Sequence, residues 1–206
     1  AYDANGQHLP GWPHLTYLDP ALGEWGRDKY IEYTRSGPAT GDIDNDGSIE
    51  VVIAGKVRDP QMGWNHPQTT SALLVLEANG TRANGWTVGK TVGAPIGDEF
   101  KPNTPVVIAN LNATPQLEII VTYDDGTIRA YDYLGNQLWV FNYAQGRRLF
   151  ASEVAIADVT GDRVPDIVFG TYNYEPYINS DTMGAVRLWA LTLDGHIHTN
   201  YPVTLN

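Results

Sequence analysis

Asp42-Ile43-Asp44-Asn45-Asp46-Gly47-Ser48-Ile49-Glu50 puts carboxylates at the first, third, fifth and ninth places of a nine-residue frame, with glycine at the sixth. A hard cation such as calcium takes six to eight oxygens at about 2.3–2.6 Å, and a curled loop supplies them from alternate side chains plus a main-chain carbonyl. The expected ligands are Asp42, Asp44, Asp46 and Glu50, with the carbonyl of Ser48. Gly47, lacking Cβ, can take the positive φ that bends the chain around an ion. In an EF-hand the closing acid stands at position twelve on an exiting helix. Here it stands at nine and runs into Val51-Val52-Ile53-Ala54-Gly55, a β-branched stretch that reads as a strand. The frame therefore predicts a cation loop between two strands.

The frame recurs. Asp158-Val-Thr160-Gly-Asp162-Arg-Val164-Pro-Asp166 precedes the apolar run Ile167-Val-Phe-Gly170. Its expected ligands are Asp158, Thr160, Asp162 and Asp166, with the carbonyl of Val164. Asn110-Leu-Asn112-Ala-Thr114-Pro-Gln-Leu-Glu118 precedes Ile119-Ile-Val-Thr122 and keeps one acid only. Affinity rises with ligand charge, so calcium binding should fall from the first loop to the third, and the 110–118 loop is left open as an ion site. A solvated acidic turn is the competing reading of each.

A second element repeats as well. Asn5-Gly6 with Trp12, Asn79-Gly80 with Trp86, Leu134-Gly135 with Trp139 and Asp194-Gly195 with Tyr201 each combine a tight turn with a following aromatic. Asn-Gly and Asp-Gly favour hairpin turns because both central residues need positive φ. The aromatic is expected to wedge between stacked sheets. The repeat thus reads strand, cation loop, strand, connection, strand, glycine turn, strand, which is one four-stranded antiparallel blade of a β-propeller. The fold class expected is all-β, with three complete blades near 38–90, 104–143 and 152–206, and residues 1–13 as the last hairpin of a preceding blade. The whole of 1–206 is then one propeller segment. Propellers close with four to eight blades, so the ring is expected to be incomplete, its ends covered by further blades or neighbouring subunits. The apolar residues expected at those ends are Val51, Ile53, Leu74 and Leu76 on one side, and Ile167, Phe169, Val186 and Leu188 on the other.

These units resemble the FG-GAP repeats, also called VCBS-type, of integrin α-subunit propellers and of many bacterial secreted proteins. The resemblance is carried most strongly by 42–50, then by 158–166, and only Phe169-Gly170 keeps the name-giving dipeptide at its strand end. It implies calcium in the loop between the first two strands of a blade.

The formal charge of −11 argues against nucleic acid or anionic membrane as a partner, since both need basic patches. No apolar stretch is long enough to span a membrane. With no cysteine the chain has neither disulfides nor thiol chemistry. Open calcium loops work at the millimolar levels found outside cells, so an extracellular or cell-surface setting is expected. Long connections on a rigid scaffold are where binding residues gather. Trp64, His66, Tyr172, Tyr174 and Tyr177 are the candidates, suited to a carbohydrate or protein ligand, unless their rings merely pack the loops.

His196 and His198 alternate and would share a strand face, giving a two-nitrogen metal pair or a plain surface pair. No nucleophile elbow, zinc-protease helix or phosphate loop is present, so no independent enzyme is supported. The leading expectation is a calcium-stabilised module for adhesion, recognition or assembly. The alternatives are part of a secreted polysaccharide-processing enzyme of the lyase-like propeller kind, and a structural subunit of an extracellular assembly.

Overall fold

A computed structural model of the chain describes residues 1–12, 30–32, 37–58, 71–86, 90–91, 106–123, 125–147, 149–173 and 186–205. Among them there is no helix, and fourteen strands form three antiparallel sheets. The first sheet holds β1 (Tyr30–Glu32), β2 (Ala39–Gly41), β3 (Glu50–Arg58), β4 (Ser71–Leu76) and β5 (Lys90–Thr91). The second holds β6 (Val106–Ala109), β7 (Glu118–Thr122), β8 (Thr127–Tyr131) and β9 (Gln137–Asn142). The third holds β10 (Leu149–Ala151), β11 (Ala155–Ala157), β12 (Asp166–Asn173), β13 (Arg187–Leu191) and β14 (Val203–Thr204).

The two five-stranded sheets have four lanes. In the first, β1 and β2 pair with opposite ends of the same strand, β3, as two pieces of one edge lane. In the third, β10 and β11 share β12 in the same way. There the lane breaks at Ser152, whose N–H still donates to Gly170 O at 2.8 Å while its Oγ accepts from Gly170 N at 2.9 Å. Each nine-residue frame falls between the first and second lanes, joining β2 to β3, β6 to β7 and β11 to β12.

Side-chain parity decides how the sheets stack. Ile119 and Val121 of β7 join Val52, Ala54, Leu73 and Val75 of the first sheet in one buried cluster. Ile120, between them, joins Ile167, Phe169, Trp189 and Leu191 of the third sheet in another. The second sheet is therefore covered on both faces, which is why β7 is apolar at consecutive positions rather than alternate ones. Ile167 and Phe169, expected on an open terminal face, instead lie 0% and 2% exposed between sheets, with Phe169 stacked on Trp189 at 6.1 Å. Leu74 and Leu76, expected partly open, are likewise buried. Val51 and Ile53 are half-buried, and Val186 is exposed.

Each sheet ends in the same hairpin. Gly80 N donates to Glu77 O, Gly135 N to Asp132 O, Gly195 N to Thr192 O, and in the N-terminal hairpin Gly6 N to Asp3 O. These four glycines have φ between 76° and 84°, where an L side chain costs about 1–2 kcal/mol.

Candidate metal centre

The first loop is seated by Ile43, which is 1% exposed in the cluster between the first two sheets. Its carbonyl accepts from Leu117 N of the second loop at 2.9 Å, so the two loops are tied across the sheets. The carboxylate of Asp42 accepts from Asp46 N at 3.0 Å and Gly47 N at 3.0 Å, and Asp46 Oδ1 accepts from Ser48 N at 2.7 Å. Asn45 and Gly47 both take positive φ, 63° and 93°. The loop curls around its own acids, and side-chain oxygens of Asp42, Asp44 and Glu50 come within 4.8 Å of one another. Two oxygens on one calcium ion stand up to about 5 Å apart, so the three fit one ion. Asp46 is outside this trio and is engaged with Ser48 N.

The ninth residue decides what each loop can hold. In all three, one of its oxygens accepts the N–H of the second residue: Ile43 to Glu50 Oε2 at 2.8 Å, Leu111 to Glu118 Oε2 at 2.6 Å, Val159 to Asp166 Oδ2 at 2.8 Å. The fate of the other oxygen differs. Glu118 Oε1 accepts from the Asn112 amide at 2.8 Å. Asp166 Oδ1 lies 2.5 Å from His198 Nε2. Glu50 Oε1 is buried and accepts no hydrogen bond among the described residues. A buried carboxylate oxygen without a donor, on a group gathered with two further carboxylates, is costly unless a cation sits there. Burial raises the Glu50 carboxyl above its ordinary value and the charges of Asp44, Glu77 and Asp46 add to this, against the Ile43 N–H. Glu77 is raised by burial and then by Asp44 and Asp46, so it belongs to the same acidic field. It was missed by the nine-residue frame because it arrives from the hairpin across β4, one place beyond the Val51–Leu76 pair.

The third loop keeps the curl of the first. Gly161 and Arg163 have φ of 82° and 69°, and Asp158 accepts from Gly161 N at 2.6 Å and Arg163 N at 2.8 Å. Asp162 Oδ1 accepts from Val164 N at 2.8 Å, and Thr160 N donates to Asp166 Oδ2 at 3.1 Å. For Asp166, burial opposes ionisation most strongly, yet the Val159 and Thr160 N–H groups and His198 outweigh it and hold the carboxyl below its ordinary value. Its acids are not gathered as Asp42, Asp44 and Glu50 are; among the described residues that trio is the one such group. The second loop does not fit a cation. Pro115 stands at its sixth place and cannot adopt positive φ, Asn110 Oδ1 is taken by Ala113 N at 2.6 Å, and the Asn112 amide supplies the hydrogens that a cation would replace.

The two histidines do not form a pair. His196 is exposed and lies 3.2 Å from Asp194, whereas His198 is half-buried against Asp166. They flank an isolated bridge between Ile197 and Leu191, and the hairpin carries them to different carboxylates. Tyr172, expected in a connection, is inside β12 opposite Phe150, and the two rings lie 5.9 Å apart. Burial raises its hydroxyl pKa. Trp64, His66, Tyr174 and Tyr177 lie outside the described residues. A cleft of about 490 Å3 opens between the second and third sheets, with Leu138, Trp139 and Val164 as apolar wall and Asp162, Asp194 and His198 as polar rim.

Comparison with protein-family models gives no match, and comparison with curated protein sequences gives none. Among solved structures, the crystal structure of the V. cholerae biofilm matrix protein Bap1 is similar, at 17% identity and a TM-score of 0.34. The match covers 82% of this chain and 28% of that one.

Proposed function

We propose that this chain is a run of calcium-stabilised β-propeller blades serving outside the cell as a recognition, adhesion or assembly module for a protein or carbohydrate ligand. The observation that carries the calcium part is that Glu50 gathers an oxygen within 4.8 Å of oxygens of Asp42 and Asp44 while its buried Oε1 has no hydrogen-bond partner among the described residues. Calcium would complete the loop with oxygens from these three, while the third loop would bind more weakly because His198 occupies its closing acid. Repetition of one strand order in three sheets, each with its frame between the first two lanes, supports the blade reading. A site of this openness fills at about 10⁻⁴–10⁻³ M calcium, the extracellular range.

Calcium titration calorimetry on the folded protein is the test. Uptake is expected at millimolar calcium, and Asp44→Ala or Glu50→Gln should abolish the tighter step. Absence of uptake, or uptake unchanged in both variants, would overturn the proposal.

A further inference from the structure

Three indoles form a relay from one hairpin to the next. Trp12 Nε1 donates to Ala78 O at 2.8 Å, Trp86 Nε1 to Tyr133 O at 2.8 Å, and Trp139 Nε1 to Leu193 O at 3.0 Å. The last bond fixes a ring in the wall of the cleft of about 490 Å3 between the second and third sheets. Gly195 of the same turn packs against that ring, since a Cβ there would fall 2.7 Å from Trp139 Cδ2 and 2.9 Å from Cε3. With its N–H bonded and its ring carbons against the turn, the indole is held in place, so this wall is formed before any ligand arrives.

Leu138 and Val164 line the same cleft and are 46% and 50% exposed, so its apolar surface is open to solvent. The polar rim is acidic. Asp162 gives Oδ1 to Val164 N at 2.8 Å, and its Oδ2 accepts no hydrogen bond among the described residues. Asp194 receives the Thr192 hydroxyl on Oδ1 and faces His196 with Oδ2 at 3.2 Å, one contact for each oxygen, and a carboxylate oxygen accepts two. Asp166 is turned to His198 instead. Among the described residues no Lys or Arg lines the cleft, Arg163 included, although it adjoins Asp162 in sequence. The cleft therefore carries negative charge that no Lys or Arg of its own lining offsets, beside a surface suited to methylene groups.

We propose that this cleft receives an arginine side chain of a partner protein, with its methylenes against Leu138 and Val164 and its guanidinium at Asp162 and Asp194, within reach of the Trp139 ring. The argument is charge complementarity. A guanidinium is planar, weakly hydrated, pairs with carboxylates and stacks on aromatic rings, so it matches both the acids and the indole. The volume falls in the range of about 300–1,000 Å3 usual for ligand sites. A neutral sugar would leave both carboxylate charges uncompensated. The proposal names the ligand chemistry within the recognition reading above, on which it rests, and needs no calcium. Because Asp162 is also an expected ligand of the third loop, the test is made without added calcium.

Heteronuclear NMR of the folded 206-residue protein, titrated with Nα-acetyl-arginine methylamide to about 10 mM, tenfold above a millimolar Kd, is the test. The Trp139 indole N–H and the Val164 and Leu193 amides should move and approach saturation, while the Ile43 and Gly47 amides of the first loop stay still. Nα-acetyl-citrulline methylamide keeps the shape but replaces the cation with a neutral urea. It should bind about tenfold more weakly, the margin between charged and neutral hydrogen bonds. Asp162→Asn combined with Asp194→Asn should erase the difference between the two probes, and the wild-type comparison decides alone should that variant fail to fold. An arginine probe that leaves the cleft resonances unmoved, moves those of the first loop equally, or binds no better than citrulline would overturn the proposal. Movement of the cleft resonances by methyl glucoside instead would assign the cleft to a sugar, overturning the proposal while leaving the recognition reading standing.

Discussion

His198 Nε2 stands 2.5 Å from Asp166 Oδ1, and the place of that imidazole in the first sheet is held by the methyl group of Ala83. The equivalence is set by backbone bonds: His198 N donates to Ala190 O, opposite Val168, as Ala83 N donates to Val75 O, opposite Val52. One loop thus carries an imidazole beside its closing acid, and in the other an alanine stands at that place. Removing the histidine should convert the third loop towards the first. In His198→Ala, the weaker calcium step should tighten, because the Asp166 oxygen that His198 faces becomes available to the ion. Without calcium the variant should melt below wild type, and saturating calcium should restore most of the difference. Calorimetry and thermal melts on one preparation check both; an unchanged weak step would show that His198 does not guard the loop.

The raised Glu50 carboxyl would give the proposed calcium uptake a pH dependence of definite sign. Its folded-state pKa lies above the ordinary 4.5, so in the ion-free protein the carboxyl holds its proton to higher pH than an exposed glutamate does. Glu50 therefore adds to ion-free stability as pH falls through its folded pKa, and this contribution is lost as pH rises again. Calcium needs the carboxylate and must expel that proton. Asp166 acts the other way: its folded pKa lies below the ordinary 3.8, so its stabilisation is present above that value and is lost as pH falls from there through the folded pKa. The expected outcome is that the melting-temperature gain from calcium is largest near neutral pH and shrinks steadily towards pH 4.5. Parallel melts with and without calcium at each pH isolate the effect, and a gain that does not fall with acidification would contradict it.

The first loop was legible in the sequence because its chemistry is local, with acids at fixed spacing, a glycine and a following strand within a nine-residue frame. What the sequence hid was non-local. His198 reaches Asp166 across 32 residues only through the register of β12, β13 and the hairpin after them. The faces of Ile167 and Phe169 were misread because Ile167-Val168-Phe169 is apolar at every position, so no alternation marks which side faces the core, and a shift of one residue exchanges the two. Tyr172 was read as a loop residue because glycine at 170 resembles a strand end, whereas Gly170 lies in mid-strand, at the break of the edge lane.

The relay should be graded by burial. Trp86 is fully buried, edge-to-face with Tyr131 at 6.0 Å, and its bond to Tyr133 O is shielded. Trp12 is half-exposed and bonds Ala78 O at the surface. Trp86→Phe removes the donor and part of the ring, leaving a shielded carbonyl, at a cost of about 1–3 kcal/mol. That corresponds to a fall in melting temperature of about 2–4 °C per kcal/mol for a chain of this size. Trp12→Phe should cost less than half as much, because water can replace the lost donor. Urea melts of the two variants decide the matter, and equal losses would mean that the indole bonds do not matter to the stacking.

Gly85 and Gly6 separate backbone strain from close approach. They have nearly the same φ, 79° and 76°, so alanine at either meets the same left-handed penalty of about 1–2 kcal/mol. Their surroundings differ. A Cβ on Gly85 would lie 2.3 Å from Leu134 O and 2.7 Å from its carbonyl carbon, which are main-chain atoms held in the turn between Asp132 and Gly135. Nothing stands within 4 Å of a Cβ on Gly6. A side chain pressed against backbone forces the sheets apart rather than turning a rotamer, and such overpacking adds about 1–3 kcal/mol. Gly85→Ala should therefore destabilise the protein by more than Gly6→Ala, and the difference is the contribution of close contact between the first and second sheets. The check is denaturant unfolding of both variants. Equal midpoints would mean that the turn at Leu134 yields freely and that glycine at 85 serves the backbone alone.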